Sequence, residues 1–254
     1  RRWKKVPYVL AMKCLAVYRS ATWHASTDLE AEDVRRVMGS RATVRIAGNC
    51  TVLEHSLLPD GRATDMAPRS QALRICFLSR ISPKKNLAFA LRVLSEIQCD
   101  VVFDIYGPCE DQSYWRDCVA LIAKLPRHVS ATYRGAVAQA DVQPTLSRYD
   151  LLFVPTQGEN FGHVFAEALA SGVPLLVSDQ TPWRGLQARG VGWDFPLGSQ
   201  RAFVQAIEEA CLRTPEQRQQ IARACVSFAR EKANSVEAAE QTRLLFLRAL
   251  APAL

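Results

Sequence analysis

No stretch of eighteen apolar residues occurs in the chain, so no segment is long enough to cross a bilayer as a helix. None of the eight cysteines forms a Cys-x-x-Cys pair, which argues against a zinc ribbon or a dithiol redox motif. Cys76 and Cys99 fall in or beside apolar patterns, and the expectation is a set of reduced, buried thiols in a cytosolic protein. The four histidines are equally dispersed, with no two inside one helical turn, and no Asp-x-Asp pair is present, so no metal site is expected. His24, His55 and His128 are expected to be structural or simply exposed. The opening RRWKKVPYVLAMKCLAV imitates a secretory leader, but Lys13 interrupts its apolar stretch and no small-residue cleavage site follows, so secretion is not expected.

What the chain does have is enough apolar material for a core. At 254 residues and 48% hydrophobic, it can bury one substantial core and a small second one, as a soluble globular protein does. Its charge is uneven. Residues 1–50 hold ten Lys and Arg against four Asp and Glu, and so carry +6 of a formal net charge of +7. Trp3, Val6, Leu10, Cys14 and Val17 follow near-helical spacing through that basic stretch. Such a helix suits either packing against another domain or resting on an anionic membrane surface, where each cation contributes on the order of 1 kcal/mol. No nucleic-acid-binding motif or stacking platform accompanies the charge, so nucleic acid is not expected as a partner.

Short apolar runs alternate with amphipathic stretches through the rest of the sequence. Strands are expected at 73–78, 101–106, 131–134, 151–155 and 174–178, with helices at 87–97, 114–125 and 142–149 between them. This pattern implies an α/β fold, a doubly wound and mostly parallel sheet covered on both faces. Thr214-Pro-Glu-Gln reads as a helix start, with Thr as cap, Pro in the first position and Gln217 reaching back. A last helix near Ser235 carries Leu244, Leu245, Leu247 and Leu250.

Ligands of parallel sheets bind outside the carboxyl ends of the strands, and two connections there draw notice. Residues 156–174, TQGENFGHVFAEALASGVP, form a polar turn running into an Ala-rich helix that begins near Phe161 or Gly162. Its first N–H groups suit a phosphate. Glu159 lies ahead of that anion site and Glu167 more than a turn inside the helix, too far apart to be a paired acid and base. They suit hydroxyls on either side of a bound diphosphate, as in a sugar nucleotide. The second connection, SRISPKKN (79–86), places Arg80 and Lys85 after a strand, where a guanidinium and an ammonium serve a diphosphate without a metal. Val137, two residues past Gly135, is a candidate for contacting a base through its backbone, and His163 matters more for its N–H than for its ring.

These two stretches resemble elements of the group 1 (family 4) glycosyltransferases of the GT-B superfamily. SRISPKKN is similar to the family's Gly-Arg-Leu-x-x-x-Lys-Gly element, with Ser79 in place of the first Gly, and GENFGHVFAEALASGVPLLVSDQTPW to its Glu-x7-Glu element. The likeness extends from about Trp23, where WHASTDLEAEDVRRV is similar to the helix that closes the family's first domain, to the C-terminal helices. It implies a Rossmann-like donor domain and a retaining, metal-independent hexosyltransferase with no cofactor, whose substrate is a nucleoside-diphosphate sugar such as a UDP- or GDP-sugar. The acceptor would be a glycan or a lipid-linked acceptor in cell-surface polysaccharide synthesis, and the location cytoplasmic, with the basic stretch at 1–50 leaving open a peripheral place at the inner membrane face. Glu159, Arg80 and Lys85 would be catalytic, with Glu159 on a sugar hydroxyl. Phe161, Gly162, His163, Val164, Glu167 and Val137 would bind the donor, Glu167 through the ribose hydroxyls. Since such enzymes carry a large acceptor domain first, the resemblance also implies a donor-binding half: a remnant of the acceptor domain at 1–47, a linker at 48–70 and the donor domain with C-terminal helices at 71–254. The alternative is a non-catalytic nucleotide-sugar-binding subunit that works with a separate acceptor-binding chain.

Overall fold

The computed structural model describes residues 2–47, 72–233, 240 and 242–247. The chain divides into two compact units, residues 1–50 with 235–254, and residues 51–234. The expected linker at 48–70, His55 and the expected helix start at Ser235 lie outside the described residues; 242–247 are helical.

The first unit opens with helix α1 (Arg2–Cys14), which contains Pro7. Strands β1 (Thr22–Ala25) and β2 (Thr43–Ile46) pair in parallel on either side of helix α2 (Asp28–Met38). The helical resemblance from Trp23 onward thus holds only from Asp28, and residues 22–25 are extended. Local chemistry sets that boundary. The Thr27 hydroxyl accepts the Glu30 N–H, and the Glu30 carboxylate accepts from the backbone and side chain of Ser26, so the chain enters the helix there. Asp28 and Glu30 in the first turn and Arg35 and Arg36 in the last complement the helix dipole. The His24 ring donates to the Ala47 carbonyl at 2.9 Å, a structural role.

The second unit is a six-stranded, fully parallel sheet: β3 (Leu73–Leu78), β4 (Val101–Tyr106), β5 (Val129–Gly135), β6 (Leu151–Val154), β7 (Leu175–Ser178) and β8 (Gly192–Phe195), in the order β5-β4-β3-β6-β7-β8. The chain winds outward from β3 to β5, returns to lay β6 against β3, and winds outward again to β8. Helices α3 (Leu87–Leu94), α4 (Gln112–Ile122) and α7 (Gln200–Cys211) pack together, as do α5 (Val142–Leu146), α6 (His163–Ala170) and α8 (Pro215–Ala233). This is the doubly wound arrangement with one switch of direction, between β3 and β6.

The central strands carry almost uninterrupted apolar residues because both faces are covered. Phe77, Phe103, Phe153, Phe165 and Phe203 are fully buried in this core. The expected strands all form, and β8 is an addition: GWDF has little strand character of its own. Gly192 lets it close on β7, since a Cβ there would stand 2.0 Å from the Leu175 carbonyl oxygen. The capping box before α8 forms as expected, Thr214 N–H donating to the Gln217 side chain and Gln217 N–H to the Thr214 hydroxyl.

The cysteine expectation needs correction. Cys99, in the α3–β4 connection, and Cys211, at the end of α7, are joined as a disulfide across 112 positions of sequence. Packing of α3 against α7 brings them together, which no spacing rule reveals. Cys76, Cys118 and Cys225 are buried free thiols, Cys109 is half-buried and Cys14 is exposed. The His128 ring donates to the Ile97 carbonyl at 2.8 Å, again a structural role.

Candidate functional site

The connections leaving β3 and β6 meet at the switch point. After β3, Ser82 introduces a single 3-10 turn, Pro83–Lys85, and Asn86 in the left-handed region (φ 62°) redirects the chain into α3. After β6, Gln157 N–H donates to the Lys84 carbonyl at 2.7 Å, and the Thr156 hydroxyl lies 3.1 Å from the same oxygen. Ser178, at the end of β7, donates its hydroxyl to the Thr156 carbonyl. Backbone pairing therefore brings the two loops together before any long side chain contributes.

Lys85 and Glu159 are the product of that pairing. The Lys85 ammonium donates to Glu159 Oε2, and Lys85 as a residue is only 8% exposed. Glu159 Oε1 accepts the Asn160 N–H at 3.2 Å, and the Glu159 N–H donates to the Gln180 carbonyl at 3.0 Å. A residue expected on the diphosphate and one expected on a sugar hydroxyl thus form one ion pair. Such a pair keeps a cation and a carboxylate at defined positions in a place where neither would sit unpaired.

Immediately beyond lies the mouth of α6. Gly162 takes φ 79° as its cap, and a Cβ there would fall 2.4 Å from the Phe165 ring and 3.1 Å from Glu159 Cγ, so only glycine fits. His163 and Val164 occupy the first turn, where an N–H has no intrahelical acceptor. The turn is anchored from outside: Trp183 Nε1 donates to the Phe161 carbonyl at 2.6 Å, and the Phe161 ring packs against the His163 imidazole with centroids 4.7 Å apart. His163 is itself exposed.

Arg80 has a different partner. Its Nη1 donates to Glu110 Oε1 at 2.9 Å, and both side chains are largely exposed. The loop after β4 delivers Glu110 there. Ile81 N–H donates to the Pro108 carbonyl and Glu110 N–H to the Ile81 carbonyl, while Gly107 (φ 131°) approaches Ser79 so closely that a Cβ would be 1.9 Å from its carbonyl oxygen. Sequence reading missed Glu110; the one available signal was its place just past the Gly-Pro that ends a predicted strand.

Glu167 is half-buried, and its Oε1 accepts from Gln139 Nε2 at 2.6 Å. Gln139 opens a 3-10 turn four residues after β5 and was also missed. Val137, two residues past Gly135, packs half-buried on the edge of the core. Behind these loops the buried Asp104 carboxylate on β4 accepts from Arg134 Nε and from the Tyr149 hydroxyl, each at 2.8 Å, and Tyr106 lies 2.8 Å from that hydroxyl. Burial, then the Tyr106 and Asp104 contacts, push the Tyr149 phenol far above its ordinary value, so it stays a neutral donor holding the sheet to the entry of β6. Among the described residues no cluster of three or more His, Cys, Asp or Glu could hold a metal, and no helix is long and apolar enough to cross a membrane.

Residues 66–225 match the family described as glycosyl transferases group 1. A curated relative, the UDP-N-acetylglucosamine–peptide N-acetylglucosaminyltransferase GtfA subunit of Streptococcus pneumoniae serotype 4, is 24% identical over 140 residues, spanning 54% of this chain and 24% of the relative. Among solved structures, Anabaena Alr3699/HepE in complex with UDP and glucose superposes with a TM-score of 0.74 at 18% identity, over 94% of this chain and 66% of that one. Sucrose-phosphate synthase from Thermosynechococcus elongatus superposes with a TM-score of 0.71 at 19% identity, over 91% and 59%. The chain therefore spans about a quarter of the curated relative it matches and just under two thirds of the HepE chain.

Proposed function

The chain belongs to the group 1 glycosyl transferases, and from that premise we propose that it holds the nucleoside-diphosphate sugar of a retaining, metal-independent hexosyl transfer. The observation that carries the reading is the Lys85–Glu159 pair at the switch point, beside the mouth of α6. Departure of the sugar leaves negative charge growing on the diphosphate. Lys85, Arg80 and the N–H groups of 161–164 are the donors assigned to that charge, one such donor being worth about 3 kcal/mol in comparable sites. Arg80 exchanges the Glu110 carboxylate for phosphate when the donor binds; its guanidinium presents five N–H groups, so a fork remains free even while Nη1 is engaged.

Glu159, paired with Lys85, receives a sugar hydroxyl, and Glu167 receives the ribose hydroxyls. The donor is a UDP- or GDP-sugar. UDP is favoured because HepE, the structural neighbour described above, was solved with UDP and glucose. The acceptor is a glycan or lipid-linked glycan of a cell-surface polymer, and the basic residues of 1–50 favour a cytoplasmic position against an anionic membrane. In a reducing cytosol the Cys99–Cys211 pair would stand as two thiols.

A second reading is supported by the curated relative being named a subunit: a donor-holding chain that turns over only with an acceptor-binding partner. Both readings meet one experiment. The purified chain is titrated by calorimetry with UDP, GDP, ADP and the corresponding glucose nucleotides, with and without a chelator. Saturable binding of a uridine or guanosine diphosphate, unaffected by chelator, is expected. Failure of all three diphosphates to bind overturns the proposal, and chelator-sensitive binding overturns its metal independence. Release of free sugar from the bound donor by the chain alone would favour the catalytic reading over the subunit.

A further inference from the structure

We propose that Gln139 is a positioning residue for Glu167 and sets how strictly the site demands a ribose over a deoxyribose. The proposal rests on the assignment of Glu167 to the ribose and goes beyond it in naming what aims that carboxylate. Glu167 belongs to α6 and Gln139 to the turn after β5, and the two are joined across 28 positions of sequence by a 2.6 Å hydrogen bond from Nε2 to Oε1. The bond spans two separately built elements. The turn is anchored by the Asp141 N–H on the Ala138 carbonyl, and α5, which follows it, packs on α6.

A glutamate on a helix has three rotatable bonds, and its terminal torsion is soft, so an unrestrained carboxylate would present its oxygens over a broad arc. A donor on Oε1 restricts that arc and leaves Oε2 and the second lone pair of Oε1 to accept from a ligand. The choice of donor matters as well. An amide holds the carboxylate without neutralising it, whereas a Lys or Arg at 139 would compete with the hydroxyls for the charge. The same short segment carries Val137, the candidate for the base, so base and ribose contacts would be set by one turn. A carboxylate held in one orientation loses a whole charge-assisted bond when the 2′-hydroxyl is missing, while a free one swings to water and loses little.

The test measures the affinity of the full chain for UDP and for 2′-deoxyuridine diphosphate by calorimetry, and again with the guanosine pair. Wild type, Gln139→Ala and Glu167→Gln are compared, with thermal melts run on each. Wild type is expected to favour the ribonucleotide by about ten-fold or more, as loss of a hydrogen bond to a charged group implies. Gln139→Ala should cut that ratio by roughly three- to ten-fold with an unchanged melt, since Gln139 is exposed, and Glu167→Gln should bring it near unity. A ratio in Gln139→Ala within twofold of wild type, with Glu167→Gln collapsing it, overturns the positioning role and leaves the ribose assignment standing. An unchanged ratio in Glu167→Gln overturns the ribose assignment itself, and the proposal with it.

Discussion

Lys85 and Glu159, 74 positions apart in sequence, form an ion pair across the switch point between β3 and β6, with the Lys85 side chain 10% and the Glu159 side chain 17% exposed. Removing either partner strands a largely desolvated charge. Lys85→Met or Glu159→Gln alone should cost about 3 kcal/mol, and the double variant markedly less than their sum. Urea unfolding of the four proteins checks this, and additive losses would mean that the pair is not coupled.

Arg80 gives the opposite expectation for stability. Its bridge to Glu110 is solvent-exposed, and such pairs contribute between about 0 and 1 kcal/mol, so Arg80→Ala should unfold close to wild type. Its affinity for UDP should nonetheless fall by about ten- to a hundred-fold, the loss expected for hydrogen bonds to a charged group. Calorimetry alongside urea unfolding separates the two effects. An unchanged UDP affinity removes Arg80 from the diphosphate site.

The Cys99–Cys211 disulfide closes a loop of 112 positions. Loops of about that length restrict the unfolded chain by roughly 4–5 kcal/mol in the chain-entropy account. The oxidised protein should therefore unfold at higher urea than the same protein in dithiothreitol, and Cys211→Ser should match the reduced protein under both conditions. Thiol counting by mass after alkylation verifies the oxidation state of each sample. Coincident oxidised and reduced curves would show that the bridge adds no stability.

Cys225 links stability to alkaline pH. Burial raises its thiol from 9.0 to about 12, so between those values the unfolded chain gives up a proton that the folded chain retains. The contribution is fully present below pH 9 and is lost as pH rises toward 12, by up to about 1.4 kcal/mol per unit. Cys225→Ala should show a shallower fall of unfolding free energy between pH 9 and 11 than wild type, whatever its offset at neutral pH. Parallel pH profiles would contradict the assignment. Cys118, pushed by burial to about 11, contributes in the same direction in both proteins.

The local features of this fold were legible before any coordinates. Predominantly apolar runs such as LRICFL and VVFDIY, each broken by one charged residue, announced covered parallel strands, and Thr214-Pro-Glu-Gln announced its helix start, because each depends on neighbours within a few residues. The position of Glu159 and Glu167 about the mouth of α6 was equally readable, since a helix has a known rise and turn. Strand β8 and the β1–β2 pair were not: TWHA, TVRI and GWDF lack the continuous apolar run that marks the equally short β6 (LLFV) and β7 (LLVS), and GWDF pairs along the edge of β7.

Sequence alone therefore determined the class of fold, the loops that gather at the strand ends and the residue types they bring. Tertiary structure alone decided who meets whom: Lys85 with Glu159, Arg80 with Glu110, Gln139 with Glu167, Cys99 with Cys211. Those meetings follow from strand order and helix layering, which depend on burying the whole core at once. No window of a dozen residues contains that information.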